Sequence, residues 1–299
     1  IEGSYALAFM SRKHPDMLVC TKQDNPLIIG LGEGENYIAS DIPAIISRTR
    51  RTYIMGDGEL AIVRKDSVEI TDRKGEPVAK KVFEVTWNAE AAEKGGYEHF
   101  MLKEIHEQPK AVRDTMSQRI TSDKKSISFE ELSWTPEYLN SFNKIYIVAC
   151  GTAYHAGLVG KYYIEKMARV IVEVDVASEF RYRDPIVDDK TLLIVVSQSG
   201  ETSDTLAALK ESKRRGAKTL AITNVVGSSI AREADQVVYT WAGPEIAVAS
   251  TKAYTTQLVC MYLIALYLGD IRGTLTDEYR KFILEELQQI PEKIQEILE

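Results

Sequence analysis

The sequence is poor in the residues that usually declare a chemistry. Its three cysteines, Cys20, Cys150 and Cys260, are odd in number and far apart. That spacing excludes a disulfide scaffold and a thiolate zinc site, and points to a reducing, cytoplasmic setting. The four histidines, His14, His99, His106 and His155, show no metal-ligand spacing, so no metal is expected. Positive charge is in deficit: 37 Lys and Arg face 44 Asp and Glu, for a net charge of −7. A nucleic-acid binder needs a basic face, and the cluster Arg48, Arg50, Arg51 is too small to supply one. Long apolar runs are missing too. Leu258 to Leu268, the most apolar stretch, falls short of the roughly 20 residues needed to cross a bilayer and reads as a buried helix. No charged-then-apolar signal segment opens the chain. Neither a nucleic-acid nor a membrane partner is expected.

What is present suits a globular protein. With 299 residues, 44% of them hydrophobic, the chain has room for two domains. The chain starts with Ile1 and not Met, in the middle of what reads as a strand (Tyr5 to Met10), and Glu292 to Glu299 still follow a helical pattern, so the chain is expected to be an internal piece of a longer protein. Residues 1 to about 88 are strand-rich: Tyr5 to Met10, Leu18 to Cys20, Leu27 to Ile29, Tyr37 to Ala39, Thr52 to Met55, Glu59 to Val63 and Ser67 to Ile70. Turn signals at His14-Pro15-Asp16, Asp24-Asn25-Pro26, Gly56-Asp57-Gly58 and Asp72 to Gly75 separate them. One helix fits from Ile42 to Ser47, with Asp41 as N-cap and Pro43 in its first turn. The glycines of Gly30-Leu31-Gly32-Glu33-Gly34 precede a strand and not a helix, so they form a turn and not a dinucleotide loop. No cofactor is expected.

From Glu90 the pattern becomes helical, through Tyr97 to Glu107 and a helix opened by Pro109. Residues 117 to 136 read as a polar connection. Residues 144 to 241 then alternate between strand and helix. The strands are Ile145 to Ala149, Val170 to Val174, Leu192 to Val196, Thr219 to Thr223 and Gln236 to Tyr239. The helices are Tyr154 to Met167, Thr202 to Arg215 and Ser228 to Glu233, with Ser250 to Leu268 after the last strand. Continuous apolar strands separated by helices predict a five-stranded parallel sheet covered on both faces, of α/β class and flavodoxin-like. A helical pair follows, capped by Thr274 with Asp277, striped by Phe282, Ile283, Leu287 and Ile290, and broken at Pro291.

Ligands of open parallel sheets bind beyond the carboxyl ends of the strands. Three polar turns are expected there: Cys150-Gly151-Thr152, Ser197 to Thr202, and Ala249-Ser250-Thr251-Lys252. In the second, the run Leu192 to Val196 stops in Ser197-Gln198-Ser199-Gly200-Glu201-Thr202 and a helix begins at once. Helix starts carry unpaired N–H groups and a partial positive charge, and hydroxyls add short donors. With no Lys or Arg in the turn, a phosphate held by neutral donors is the expected guest, on a small metabolite and not a nucleotide. Cys150 reads as a small residue at a strand end, not a nucleophile. His155 is noted only for its closeness to the first turn.

Four of these stretches resemble the glutamine–fructose-6-phosphate aminotransferase (isomerising) family in its first sugar-isomerase (SIS) domain. They are Cys150-Gly151-Thr152-Ala153-Tyr154-His155, Ala177-Ser178-Glu179-Phe180-Arg181, Ser197-Gln198-Ser199-Gly200-Glu201-Thr202 and Pro244-Glu245-Ile246-Ala247-Val248-Ala249-Ser250-Thr251-Lys252. Ile1 to Ala6, Ile29 to Gly32 and Ala39 to Asp41 resemble the later half of that family's N-terminal-nucleophile glutaminase domain. Lys94 to Tyr97 and Met101 to Pro109 resemble its interdomain segment. The resemblance implies a partial glutaminase domain at 1–88, interdomain helices and linker at 89–136, a first SIS domain at 137–270 and a helical connector at 271–299. It implies that Ser197, Gln198, Ser199 and Thr202 bind the phosphate of fructose 6-phosphate, that Thr152 contacts it, and that Val248 and Ser250 line the sugar. Ala153 stands where the family commonly has Ser, removing one hydrogen bond worth about 1 kcal/mol.

The resemblance also implies that the residues for catalysis lie outside this chain: the nucleophilic Cys, the glutamine-holding residues, and the Lys, Glu and His of a second SIS domain. The whole protein would make glucosamine 6-phosphate from fructose 6-phosphate and glutamine, as a homodimer through its SIS domains. The chain by itself is expected to be inactive. A non-catalytic SIS sugar-phosphate sensor and a stand-alone SIS isomerase remain alternatives. The strand-rich segment 1–88 stands against both, since neither needs it.

Overall fold

Short alternating runs and a long β/α repeat lie in different units of this chain. The computed structural model describes residues 1–42, 44–85, 94–117, 119–121 and 126–299, and it divides into two compact units, Ile1–Glu93 and Lys94–Glu299. Pro43, Gln118, the 122–125 part of the connection and the expected boundary near residue 88 lie outside the described residues.

The first unit has two four-stranded antiparallel sheets. One orders β1 (Tyr5–Ser11), β2 (His14–Gln23), β6 (Leu60–Arg64) and β7 (Val68–Thr71). The other orders β4 (Asn36–Ala39), β3 (Ile28–Leu31), β5 (Arg51–Ile54) and β8 (Phe83–Glu84). Ile29 of β3 packs with Cys20, Ala61, Val63 and Ile70 of the first sheet, and Ile28 on its other side packs with Ile42, Ile45, Ile46 and Val85. Period two thus gives β3 two buried faces. His14-Pro15-Asp16 is not a turn but part of β2. The pairing passes from Met10↔Leu18 to Ser11↔His14, and this irregularity accommodates a proline, which has no N–H to give the ladder. Among the described residues, 44–48 form turns and not the expected Ile42–Ser47 helix. Asp41 does accept from the Ala44 N–H at 3.1 Å, and the turn bonds found among the described residues run to the carbonyls of Ile42 and Ile45. Of the glycine run, Gly30 and Leu31 belong to β3 and Gly32-Glu33-Gly34 lie in the β3–β4 turn.

The second unit begins with α1 (Phe100–His106), α2 (Gln108–Ser117) and α3 (Pro136–Asn140). It continues β9 (Lys144–Ala149), α4 (Gly151–Ala168), β10 (Ile171–Val176), α5 (Ala177–Tyr182), β11 (Thr191–Ser197), α6 (Ser203–Arg214), β12 (Lys218–Thr223), α7 (Ser229–Glu233), β13 (Gln236–Tyr239), α8 (Lys252–Ile271) and α9 (Asp277–Leu298). All five strands are parallel, in the order β10-β9-β11-β12-β13. Side chains alternate between two cores. Ile145, Ile147, Leu192, Ile194, Val196 and Ile222 face α2, α4, α8 and α9, whereas Tyr146, Val148, Leu193, Val195 and Ala221 face α5, α6 and α7. Burying the five apolar residues Leu192 to Val196 contributes roughly 8–15 kcal/mol before chain entropy is counted. Gly157 lets α4 lie close on β9, since a Cβ there would sit 2.8 Å from Ile147.

Several local readings need correction. The connection is not wholly polar, because Ile127 and Phe129 enter the core and Arg119 is buried. α8 has 20 residues and is long and apolar enough to cross a membrane. It is nevertheless a core helix, with Leu263, Ala265 and Leu266 fully buried. Thr276, not Thr274, caps α9 by accepting from the Tyr279 N–H, and the helix runs through Pro291 without a break. Its buried stripe is Ile283, Leu284, Leu287 and Pro291, while Phe282 is exposed.

Candidate functional site

Sheet order places the topological switch between β9 and β11, whose following helices α4 and α6 lie on opposite faces. A crevice opens there in folds of this type. In-register pairing of Ala149 with Val196 brings Cys150-Gly151-Thr152 and Ser197 to Thr202 side by side. Thr205 Oγ1 lies 3.9 Å from Cys150 Sγ, across the two turns.

The Ser197 turn is braced from within. Ser197 Oγ accepts from the Gly200 N–H at 3.1 Å and lies 2.9 Å from Thr202 Oγ1. Ser199 Oγ accepts from the Glu201 N–H at 3.2 Å. If Ser197 donates to Thr202, the Thr202 proton points to a guest, because a hydroxyl has one donor and two acceptor sites. The turn is also tied to its surroundings. The Gln198 carbonyl accepts from the Asn224 N–H at 3.1 Å, the Gly200 carbonyl accepts from the Ile230 N–H at 2.9 Å, and Glu201 Oε1 accepts from the Ser229 N–H at 2.8 Å. Gly200 has φ +66°, and a Cβ there would press into Ser228 and Thr223. Only glycine fits both demands.

Helix starts differ in what they leave open. The N-cap side chains of α4 and α6, Cys150 and Thr202, make no bond to their own helices. Neither helix start is closed by its own N-cap side chain, the arrangement in which backbone N–H groups can meet an anion. The third turn is different. Glu245 Oε1 accepts from the Thr251 N–H at 2.9 Å and the Ala253 N–H at 3.2 Å, and Ser250 Oγ lies 3.3 Å from Glu245 Oε2. α8 thus carries its own anion at its N-terminus. Burial raises the Glu245 carboxyl above its ordinary value and the Glu104 charge adds to this, against the pull of the Thr251 and Ala253 N–H groups. Lys252 is not free for a phosphate either: it is buried, with its Nζ 2.6 Å from Glu107 Oε2.

Ser197, Gln198, Ser199, Thr202 and Thr152 accordingly gather at the switch point. Val248 is fully exposed, and Ser250 turns to Glu245. Glu201 and Asn224 do not stand out in the sequence because their partners are distant in the chain, and Glu245 does not because it acts on backbone N–H groups, which any residue type supplies. Burial pushes the thiols of Cys20 and Cys260 up to about 11, so neither is a nucleophile at neutral pH.

The SIS domain family model matches residues 138–267. Glutamine–fructose-6-phosphate aminotransferase [isomerizing] of Clostridium tetani is 58% identical over 299 residues, all of this chain and 49% of that protein. The enzyme of the same name from Caldanaerobacter subterraneus subsp. tengcongensis is 60% identical, again over all of this chain and 49% of the relative. The chain belongs to the glutamine–fructose-6-phosphate aminotransferase type and carries a SIS domain. Among solved structures, the C-terminal domain of the glucosamine-fructose-6-phosphate aminotransferase from Francisella tularensis superposes with a TM-score of 0.64 at 44% identity. That match covers 67% of this chain and 56% of the other. The chain spans about half the length of the curated relatives it matches.

Proposed function

We propose that this chain supplies the phosphate-binding half of a fructose 6-phosphate site in a glutamine-dependent aminotransferase that makes glucosamine 6-phosphate. The observation that carries this reading is the braced Ser197–Thr202 turn at the β9/β11 switch point, beside a second uncapped helix start at Cys150. Ser197, Gln198, Ser199 and Thr202 hold the phosphate, Thr152 reaches it from α4, and Val248 and Ser250 line the sugar. Ala153 cannot donate where a serine could. The groups that hydrolyse glutamine and move protons on the sugar are not among these residues, so the chain alone is inactive. Residues 1–88 belong to a glutaminase domain, 89–136 to the interdomain segment, 137–270 to the SIS domain and 271–299 to a helical connector. The whole protein works in the cytoplasm as a homodimer joined through its SIS domains.

Titration calorimetry with fructose 6-phosphate tests the reading. The chain should bind it, and Thr202→Val should weaken binding about tenfold, the worth of one hydrogen bond to a charged group. Absence of binding by the unaltered chain, or an unchanged affinity in the variant, overturns the assignment. Glutamine turnover by the chain would refute its inactivity, and light scattering decides whether it dimerises.

A further inference from the structure

The twelve residues between β13 and α8, 240 to 251, form neither helix nor strand. Irregular backbone must find partners for its N–H and C=O groups outside a ladder. Thr223 and Asn224 supply partners to residues 240, 242 and 243, and further partners come from the helical segment that opens the second unit. Glu104 of α1, only 2% exposed, accepts at Oε1 from the Ile246 N–H at 2.6 Å and the Ala247 N–H at 3.1 Å. Its Oε2 has no hydrogen-bond partner among the described residues. Glu107 pairs with Lys252 at 2.6 Å, and Gln108 Oε1 accepts from Thr255 Oγ1 at 2.6 Å. Positions 104, 107 and 108 share one helical face. Behind them, Thr115 Oγ1 donates to the Thr240 carbonyl at 2.5 Å and Arg119 Nη2 to the Tyr239 carbonyl at 2.6 Å.

A carboxylate buried this deeply is tolerated only where its bonds hold it. Its two bonds go to the residues just before Val248, so what Glu104 fixes is the course of that segment. We propose that Glu104 is a positioning residue for the sugar site, latching segment 244–251 so that Val248 and Ser250 face the sugar. The inference rests on the reading that those two residues line it. It separates two parts of one pocket: the Ser197 turn holds phosphate without Glu104, and the latched segment holds the rest of the sugar. If the latched state falls to about a tenth of the population, the apparent affinity for the whole sugar phosphate falls about tenfold.

Glu104→Ala and Glu104→Gln, made in the 299-residue chain, test this. Glu104→Ala should speed amide exchange at Ile246 and Ala247, and Glu104→Gln, which keeps an accepting oxygen, should restore most of the protection. Glu104→Ala should weaken fructose 6-phosphate binding about tenfold by calorimetry, while inorganic phosphate, followed by phosphorus NMR, binds within twofold of the unaltered chain. Equal weakening of both ligands, or unchanged amide exchange, overturns the proposal. If the unaltered chain binds neither ligand, the functional reading fails, and the exchange measurement alone still decides whether the latch exists.

Discussion

Gly200→Ala tests whether the phosphate turn depends on close packing or only on loop conformation. At φ +66° an alanine incurs the left-handed penalty of about 1–2 kcal/mol. Its Cβ would also lie 2.5 Å from Ser228 Cβ and 2.8 Å from Thr223 Oγ1. Those atoms cannot yield easily. Ser228 caps α7 through the Ala231 N–H, and Thr223 is paired with Ser197 in the sheet. Overpacking of this kind adds about 1–3 kcal/mol, so the substitution should destabilise the second unit by about 2–5 kcal/mol. Gly273→Ala is the control. Its φ is +63°, and a Cβ there would meet nothing within 4 Å, so only the conformational penalty applies. Urea unfolding followed by fluorescence, with Trp134 packed against the second unit's core, measures the difference. Gly200→Ala should also lose fructose 6-phosphate binding at least about tenfold, because the Ser197–Gly200 bond at 3.1 Å cannot survive the shift. Equal destabilisation by the two substitutions would refute the packing argument, and unchanged binding would refute the link between this glycine and the phosphate.

Other predictions follow from single groups. Ala153→Ser should tighten fructose 6-phosphate binding about fivefold by calorimetry, the worth of one neutral hydrogen bond; unchanged affinity would place residue 153 outside the contact. Hydrogen bonds from Arg214 and then Arg215 lower the Glu211 carboxyl from 4.5 to about 2. Its stabilisation is present above pH 4.5 and is lost as pH falls towards 2. Acid unfolding of the unaltered chain should therefore be steeper across that window than that of Glu211→Gln. Glu245 has the opposite sign: its carboxyl is raised, so ionised Glu245 weakens the fold as pH rises through that raised value. Glu245→Gln should be the more stable form at pH 7, with the gap closing as pH falls to 4.5. A less stable variant at pH 7 would show that α8 needs the charge itself.

How much of this was legible depended on range. The apolar runs of β9, β11 and β12 announced the parallel sheet, because strands buried on both faces have no polar side to show, whereas the edge strands β10 and β13 are only partly buried. The Ser197 turn was legible for a similar reason: strand end, glycine and helix start follow one another in sequence. Pro291 misled, since a proline inside a helix costs about 3 kcal/mol locally. Here Leu284, Leu287 and Pro291 bury along one face, and tertiary packing outweighs the local penalty. The two-residue strand β8 is too short to carry a period. Glu104 and Glu245 were invisible as partners. Their roles are set by bonds to backbone N–H groups, which any residue type supplies, and in the case of Glu104 from 142 positions away.

The state of each helix start is the reason for proposing a phosphate at the β9/β11 switch point. Serine or threonine before a helix is common, so residue type alone does not separate a ligand site from a cap. The bonds do. Ser228 and Thr276 close α7 and α9 on their own N–H groups, and Glu245 supplies α8 with a negative charge. α5 starts without a side-chain cap but has Glu179 in its first turn. α6 has Asp204 there, yet Arg181 Nη1 lies 3.0 Å from it and offsets the charge. α4 has no acidic residue in its first turn. Among the helices that follow the strands of the parallel sheet, the starts with no side-chain cap and no uncompensated acid in the first turn are α4 and α6, and they are the pair that the strand order brings together at the switch point. Hydroxyls in the Ser197 turn bond to one another and to the turn's own backbone instead of sealing α6. An anion proposed there would meet two helix starts already oriented by the strand order.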